Sequence, residues 1–341
     1  MRRIAHAGAL LSTLALVHGC NSDSTTGATP GGSSPIDAAV ASSQSCPPQP
    51  SHPSGSILDK VTAPSPWGVA VRDDGLAYFT ELNDGGVGIT STKTRTIDGF
   101  IPTGSFPTGI GFSPDGGTAY VANQGSNDVG VLDVATGTQV ATISTGGLSP
   151  FSVRVSPDGA QLFVGTNSTT LYIVDTQTRQ IVKSVDVGYA PNAFAVAPDN
   201  RILYVSAFVG GSVTEIDMFT GTTLRTFNVG GLPQDMAVNR KGTHLYVANE
   251  GGYLNDIDLA SGQIDNSIPL AGAAFGIGVT PDDNQAYIAI PFGGLVQVFS
   301  LQSKKVQGSL NVGGEPRRVA FSQAGKIGAV TNAAGFLTFV R

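Results

Sequence analysis

The chain has 341 residues, enough for one large domain or two ordinary ones, with 45 glycines, 13% charged residues and a formal charge of −6. So much glycine and so little charge favour a turn-rich all-β protein over a helical one. There is no basic run beyond the first few residues, which argues against nucleic acid or an anionic membrane surface as a partner, since both need clustered Lys and Arg.

Residues 1–20 read MRRIAHAGALLSTLALVHGC. Two arginines precede an apolar run from Ile4 to Val17 that is too short for a permanent membrane span, the layout of an export signal. Leu16-Val17-His18-Gly19-Cys20 resembles a bacterial lipobox, which implies cleavage before Cys20 and its lipidation. Asn21, where an inner-membrane lipoprotein would carry Asp, then implies the outer membrane of a Gram-negative cell. The alternative is an ordinary cleaved signal and a secreted or periplasmic protein. Cys46 is the other cysteine, a lone thiol if Cys20 is lipidated and its disulfide candidate if not. Residues 21–54 are rich in Ser, Thr, Gly, Pro and Ala and hold no aromatic residue. Such a stretch buries too little apolar surface to offset its ordering entropy, so a disordered tether is expected.

From residue 55 onward the sequence repeats. A proline stands before a short apolar run at Pro66, Pro107, Pro150, Pro191, Pro233 and Pro316, with Ala274 in the sixth place, at intervals of 41, 43, 41, 42, 41 and 42 residues. A fixed period of this size marks a propeller or a solenoid. Each unit holds four β runs, for which the second unit serves as pattern: GIGFS, TAYVAN, DVGVLDV and QVATISTG. The turn Ser113-Pro114-Asp115-Gly116 joins the first two. Proline presets φ there, Asp bonds the local backbone and Gly accepts positive φ. No stretch of helical length has a 3.6-residue apolar period. Four short antiparallel strands with apolar residues on both faces describe a propeller blade packed between two neighbours. The last unit shows three runs, and one extra run, Ile57–Ala63, precedes the first anchor. Supplying the missing fourth strand from Ile57–Ala63 gives seven blades in residues 55–341 and a ring without exposed edges.

Tyr120-Val121-Ala122-Asn123 and Tyr246-Val247-Ala248-Asn249, the Ser-Pro-Asp-Gly turn, the third-strand aspartates Asp133, Asp175, Asp217 and Asp258, and the closing Val187-Gly188, Val229-Gly230 and Val312-Gly313 resemble the YVTN-repeat seven-bladed β-propeller family in its bacterial lipoprotein form. The resemblance covers residues 57–341 and implies fold rather than one activity. Similar propellers include surface-layer and periplasmic proteins, lactonases and a streptogramin lyase. Within the repeat, the tyrosines are expected to pack between blades, the asparagines to tie a loop to the third strand, and the aspartates to make Asx turns.

Function is expected where the repeat is broken. The loops after the second and fourth strands of each blade share one face, around the mouth of the central channel. The residues after the anchors line that mouth: Trp67, Thr108, Phe151, Asn192, Gln234, Phe275 and Arg317. The next position is small in five blades but Asp235 and Arg318 in the other two. Two residues deeper stand Ala70, Gly111, Ala195, Ala237, Gly278 and Ala320, with Arg154 in the third blade. Charge on a crowded inner strand has to be paired or wet. Arg154, Asp235 and Arg318 are therefore site candidates, with Arg154 and Asp235 also readable as a structural plug. Glu81, Asn123, Asn249 and Glu250 lie in loops of the same face.

Of the four histidines, only His244 lies in the repeat region, at the face opposite the mouth, where solvation is expected. One histidine cannot make a His-rich zinc, copper or haem site. Trp67 is the single tryptophan, whereas quinone-binding propellers repeat a Trp motif in each blade. No G-x-S-x-G and no phosphate loop occurs. The resulting expectation is an envelope-anchored, monomeric, non-catalytic scaffold without a cofactor. Its partner would be a protein, peptide or glycan at the mouth, and its contact with the membrane would run only through the N-terminal lipid. The alternatives are a lactonase-like hydrolase using calcium or another divalent cation, for which oxygen ligands suffice, and a structural surface-coat component.

Overall fold

The computed structural model describes residues 55–322 and 324–341. The export signal, Cys20, Cys46 and the tether lie outside them. The described residues form 28 strands in seven four-stranded antiparallel sheets, one sheet per repeat. We number these blades 1 to 7 from Pro66 and call the strand at the anchor proline the inner strand. Inner strands pack on inner strands of adjacent blades around the ring.

Blade 7 is built from both ends of the repeat region. Its sheet runs from Pro316–Phe321 through Gly328–Asn332 and Phe336–Val340 to Ile57–Thr62. Ile57 faces Val340 and Thr62 faces Phe336, with one register shift between Ile57 and Asp59, and Ser56 and Arg341 exchange two backbone hydrogen bonds of 2.6 and 2.9 Å. The ring therefore closes on the borrowed strand, as the strand count requires.

Second and third strands carry the core. In Thr118–Asn123 and Gln161–Thr166, every residue after the first is buried. Tyr120 packs with Val153 and Val155 of the next blade, so the repeat tyrosine does sit between blades. Burying a side chain such as Phe163 or Leu203 stabilises the fold by about 2–3 kcal/mol. The fourth strands differ from the expectation of two apolar faces. Gln180–Asp186 is exposed along nearly its whole length, because the rim of the disc has no neighbour outside it.

Register breaks immediately after the anchor. Pro150 faces Thr166 but Ser152 already faces Gly165, which leaves Phe151 as the extra residue of a bulge. The same break follows Pro66, Pro107, Pro191, Pro233 and Pro316. Proline supplies no N–H to the ladder, and the extra residue re-aims the side chains at the mouth. In blade 6 Ala274 replaces the proline, and the inner strand is cut to Ile277–Val279.

Hydroxyl groups then tie each blade to the inner strand of the next, from blade 7 through blade 4. Thr331 donates to Trp67 O at 2.6 Å, Thr80 to Thr108 O at 2.9 Å, Thr108 to Phe151 O at 2.8 Å, and Ser152 to Pro191 O at 3.1 Å. The approach is close. A Cβ on Gly68 would lie 2.1 Å from Thr108 O, which explains why that position is small in most blades.

Candidate functional site

The structural residues of the repeat behave as expected. The Asn123 amide donates to Asp128 of the third strand at 2.7 Å. Asp133, Asp175, Asp217 and Asp258 each accept the backbone N–H three residues on, at 2.7 to 2.9 Å. Those N–H groups favour the carboxylate form and hold the four pKa values below the ordinary Asp range.

His244 requires a correction. It is not simply solvated: Nδ1 lies 2.8 Å from Asp256 Oδ1, and Lys304 of blade 6 pairs with the same carboxylate while donating to Tyr246 OH at 3.0 Å. Asp256 is 2% exposed, and a carboxylate so deep draws cations from its own blade and the next.

The mouth candidates form two overlapping groups. In the first, Trp67 of blade 1 meets Phe275 of blade 6 edge-on, with ring centroids 5.8 Å apart. The Arg317 guanidinium of blade 7 lies 5.1 Å from the Trp67 ring and 4.9 Å from Phe275, and its Nη2 donates to Glu315 at 2.6 Å. Trp67 Nε1 and Arg317 Nε are buried without an acceptor among the described residues. Gln234 is buried too, donating to Glu250 at 2.6 Å and accepting a long 3.5 Å contact from Asn192. Among the loop candidates, Glu81 is buried and accepts Ser65 N–H at 2.6 Å; burial raises its pKa, and that hydrogen bond opposes the rise.

The second group lines the channel, a cavity of about 910 Å³ running between the seven inner strands. Trp67, Phe151, Arg154, Asn192, Asp235 and Arg318 face it; Gln234, Phe275 and Arg317 do not. Arg318 Nη1 reaches Asp235 Oδ2 at 3.2 Å and Gln234 O at 3.1 Å, crossing from blade 7 to blade 5. Phe275 lies beneath that guanidinium at 5.0 Å. Asp235 also accepts backbone N–H groups from Met236 and Ile277 at 2.9 and 3.3 Å.

The charge pair in the channel is thus Asp235–Arg318, not the Arg154–Asp235 plug. Arg154 makes no hydrogen bond or ion pair with a described residue and feels Asp235 only at longer range. It is wetted by the channel yet walled by protein. That enclosure lowers its pKa and Asp235 opposes the shift, while the guanidinium stays charged. Among the described residues, no three His, Cys, Asp or Glu side chains converge as metal ligands would.

Sequence reasoning missed one feature of the mouth face. Phe106, Tyr189, Val209, Leu232 and Phe292 stand exposed on its loops, Phe292 at 87%. The signal was present as large apolar residues beside loop glycines, as in Gly188-Tyr189, Val209-Gly210-Gly211, Gly230-Gly231-Leu232 and Phe292-Gly293-Gly294.

Comparisons with known proteins agree on architecture. The family model for a seven-bladed β-propeller lactonase matches residues 80–197, from the second strand of blade 1 to just past the inner strand of blade 4. The chain is 25% identical over 268 residues to the seven-bladed β-propeller protein Rv1057 of Mycobacterium tuberculosis, covering 75% of this chain and 66% of that protein. It is 24% identical over 180 residues to antigen Lp49 of Leptospira interrogans, covering 50% of this chain and 40% of that protein. Both shares are under two thirds of the relative's own length. Hydrazine synthase of Kuenenia stuttgartiensis superposes with a TM-score of 0.75 at 20% identity, over 82% of this chain and 96% of that one, a likeness of fold alone. Seven alike sheets in one closed ring and these likenesses make the chain a seven-bladed β-propeller.

Proposed function

We propose that this propeller is a non-catalytic binding scaffold, held at the cell envelope by a lipid on Cys20 and the tether of residues 21–54, and that its mouth face receives a protein or peptide partner. One observation carries the reading: five large apolar side chains are exposed on the loops of that face, from blades 2, 4, 5 and 6 and the loops leading into them. Large apolar side chains gathered on one face can mark an interaction surface. The Trp67–Arg317–Phe275 stack at the same mouth belongs to the residue types that dominate binding energy. Surface display also accords with the name antigen borne by the Leptospira relative.

The test is capture from envelope extracts by the full chain and by a Phe106→Ser, Tyr189→Ser, Phe292→Ser variant. Phe219→Ser serves as control, because Phe219 is 66% exposed on the opposite face. Loss of one defined partner with the triple variant alone supports the reading; equal capture by all three proteins overturns it.

The lactonase family match over residues 80–197 favours a second reading, a lactonase-like hydrolase dependent on a divalent cation. Turnover of a simple lactone that is abolished by chelator and restored by calcium would select it.

A further inference from the structure

We propose that the channel holds a binding site for a small monocarboxylate, with Arg154 as its anchor. This goes beyond the mouth-face reading and does not depend on it. At the depth of Arg154 the other six blades present only Ala70, Gly111, Ala195, Ala237, Gly278 and Ala320. One long cation therefore projects among six methyl-sized or absent side chains, and those small residues leave room around the guanidinium. The cavity there, about 910 Å³, lies within the range of roughly 300–1,000 Å³ usual for small-molecule pockets.

The charge balance makes the ligand an anion. Arg318 is already neutralised by Asp235 at 3.2 Å and satisfied by Gln234 O. Arg240, at the far end of the cavity, is partnered as well. Arg154 is left as one uncompensated positive charge inside a protein whose formal net charge is −6. Low-dielectric walls focus such a field into the channel. A walled guanidinium without a protein acceptor regains strong, charge-assisted hydrogen bonds when a carboxylate meets its fork in bidentate geometry. One net charge suits a monoanion, and the Asp235 carboxylate repels a second negative charge. Ala237 and Ala320, half-buried at the same depth, offer apolar contact to a short carbon skeleton.

Titration calorimetry on the full-length chain at pH 8 and low chloride tests this, with acetate, lactate and benzoate as probes, methyl lactate as the neutral control and phosphate as the dianion. One or more of the three carboxylates is expected to bind with one-to-one stoichiometry, about tenfold more tightly than phosphate, while methyl lactate gives no heat. Arg154→Ala and Arg154→Gln are each expected to weaken the carboxylate by about tenfold or more, and Arg317→Ala, outside the channel, by less than about twofold. Because Arg154 makes no hydrogen bond or ion pair with a described residue, both Arg154 variants should melt within about 2 °C of the parent without ligand. Absence of saturable binding by all three carboxylates up to about 10 mM overturns the proposal. So does binding that survives both Arg154 substitutions, or phosphate binding more tightly. A large fall in melting temperature in both variants would make Arg154 a structural residue instead. None of these outcomes bears on partner capture at the mouth loops.

Discussion

The two halves of the channel wall solve the problem of inner-strand charge differently. In blades 5 to 7 the charged and amide groups are held by protein partners: Arg318 across blades to Asp235 and Gln234 O, Gln234 within its own blade to Glu250, and Arg317 between Trp67 and Phe275 with Glu315 on its Nη2. In blades 2 to 4 the inner strands are joined by hydroxyls, Thr108 to Phe151 O and Ser152 to Pro191 O, and the one inner-strand charge, Arg154, stands without an acceptor among the described residues. Both halves use the same four-stranded blade, and all blades but blade 6 the same proline bulge. What differs is whether an acceptor lies within reach, and that decides whether an arginine is part of the scaffold or free for a ligand.

The largest effect should come from unlocking the first half. Removing Ile57–Thr62 strips the outer ladder from blade 7, whose inner strand bears Arg317 and Arg318, and exposes the edge at Phe336–Val340. At about 1 kcal/mol per lost hydrogen bond, the ladder alone accounts for a loss of about 4–6 kcal/mol, to be read in a thermal or urea melt. An unchanged melt would show that blade 7 does not need its borrowed strand.

Asp235→Ala comes next. It leaves Arg318 partly buried with a single carbonyl, and a charged hydrogen-bonded partner of this kind contributes about 1.5–3 kcal/mol. Stability measured in urea should fall by that amount. Arg154→Ala then becomes the sharpest contrast, with an expected change within about 0.5 kcal/mol because no hydrogen bond or ion pair with a described residue is lost.

Between these in consequence, but common to both halves, is a pH effect. The Asx-turn aspartates Asp133, Asp175 and Asp258 have folded pKa values below the unfolded value of 3.8. At pH values between the two, the unfolded chain binds more protons, so this stability is present above the unfolded pKa and is lost as pH falls through the folded one. Asn in place of each Asp should flatten the loss of stability below about pH 4. A guanidinium melt series from pH 5 to about pH 2 should show the same flattening from blade 2 or 3 as from blade 5. A larger slope from one half would mean that the turns, and not only the channel, differ between the halves.

Blade number, ring closure, Asx turns and interblade tyrosines were all legible in the sequence, because each follows from a period or a turn of a few residues. Several features were not. His244 looks solvated until the third strand brings Asp256, the partner of Tyr246, diagonally within reach and Lys304 arrives from another blade. The fourth strands read as two-faced until they occupy a rim with no outer neighbour. The mouth residues looked like one surface, yet Gln234 and Phe275 turn away from the channel while Phe151 and Arg154 line it.

What the sequence determined by itself is the repeat: proline anchors at near-constant spacing, glycines where inner strands nearly touch, and one arginine at a depth where six other blades have Gly or Ala. Only the tertiary structure decided which charges meet. Arg318 and Asp235 come from blades two apart, and Arg154 and Asp235 from blades equally far apart, yet the first pair closes to 3.2 Å and the second forms no contact. Local rules fix backbone turns because their partners are neighbours in the chain. Pairing of long side chains across a ring depends on its curvature and on the rotamers left open by packing, which no period encodes.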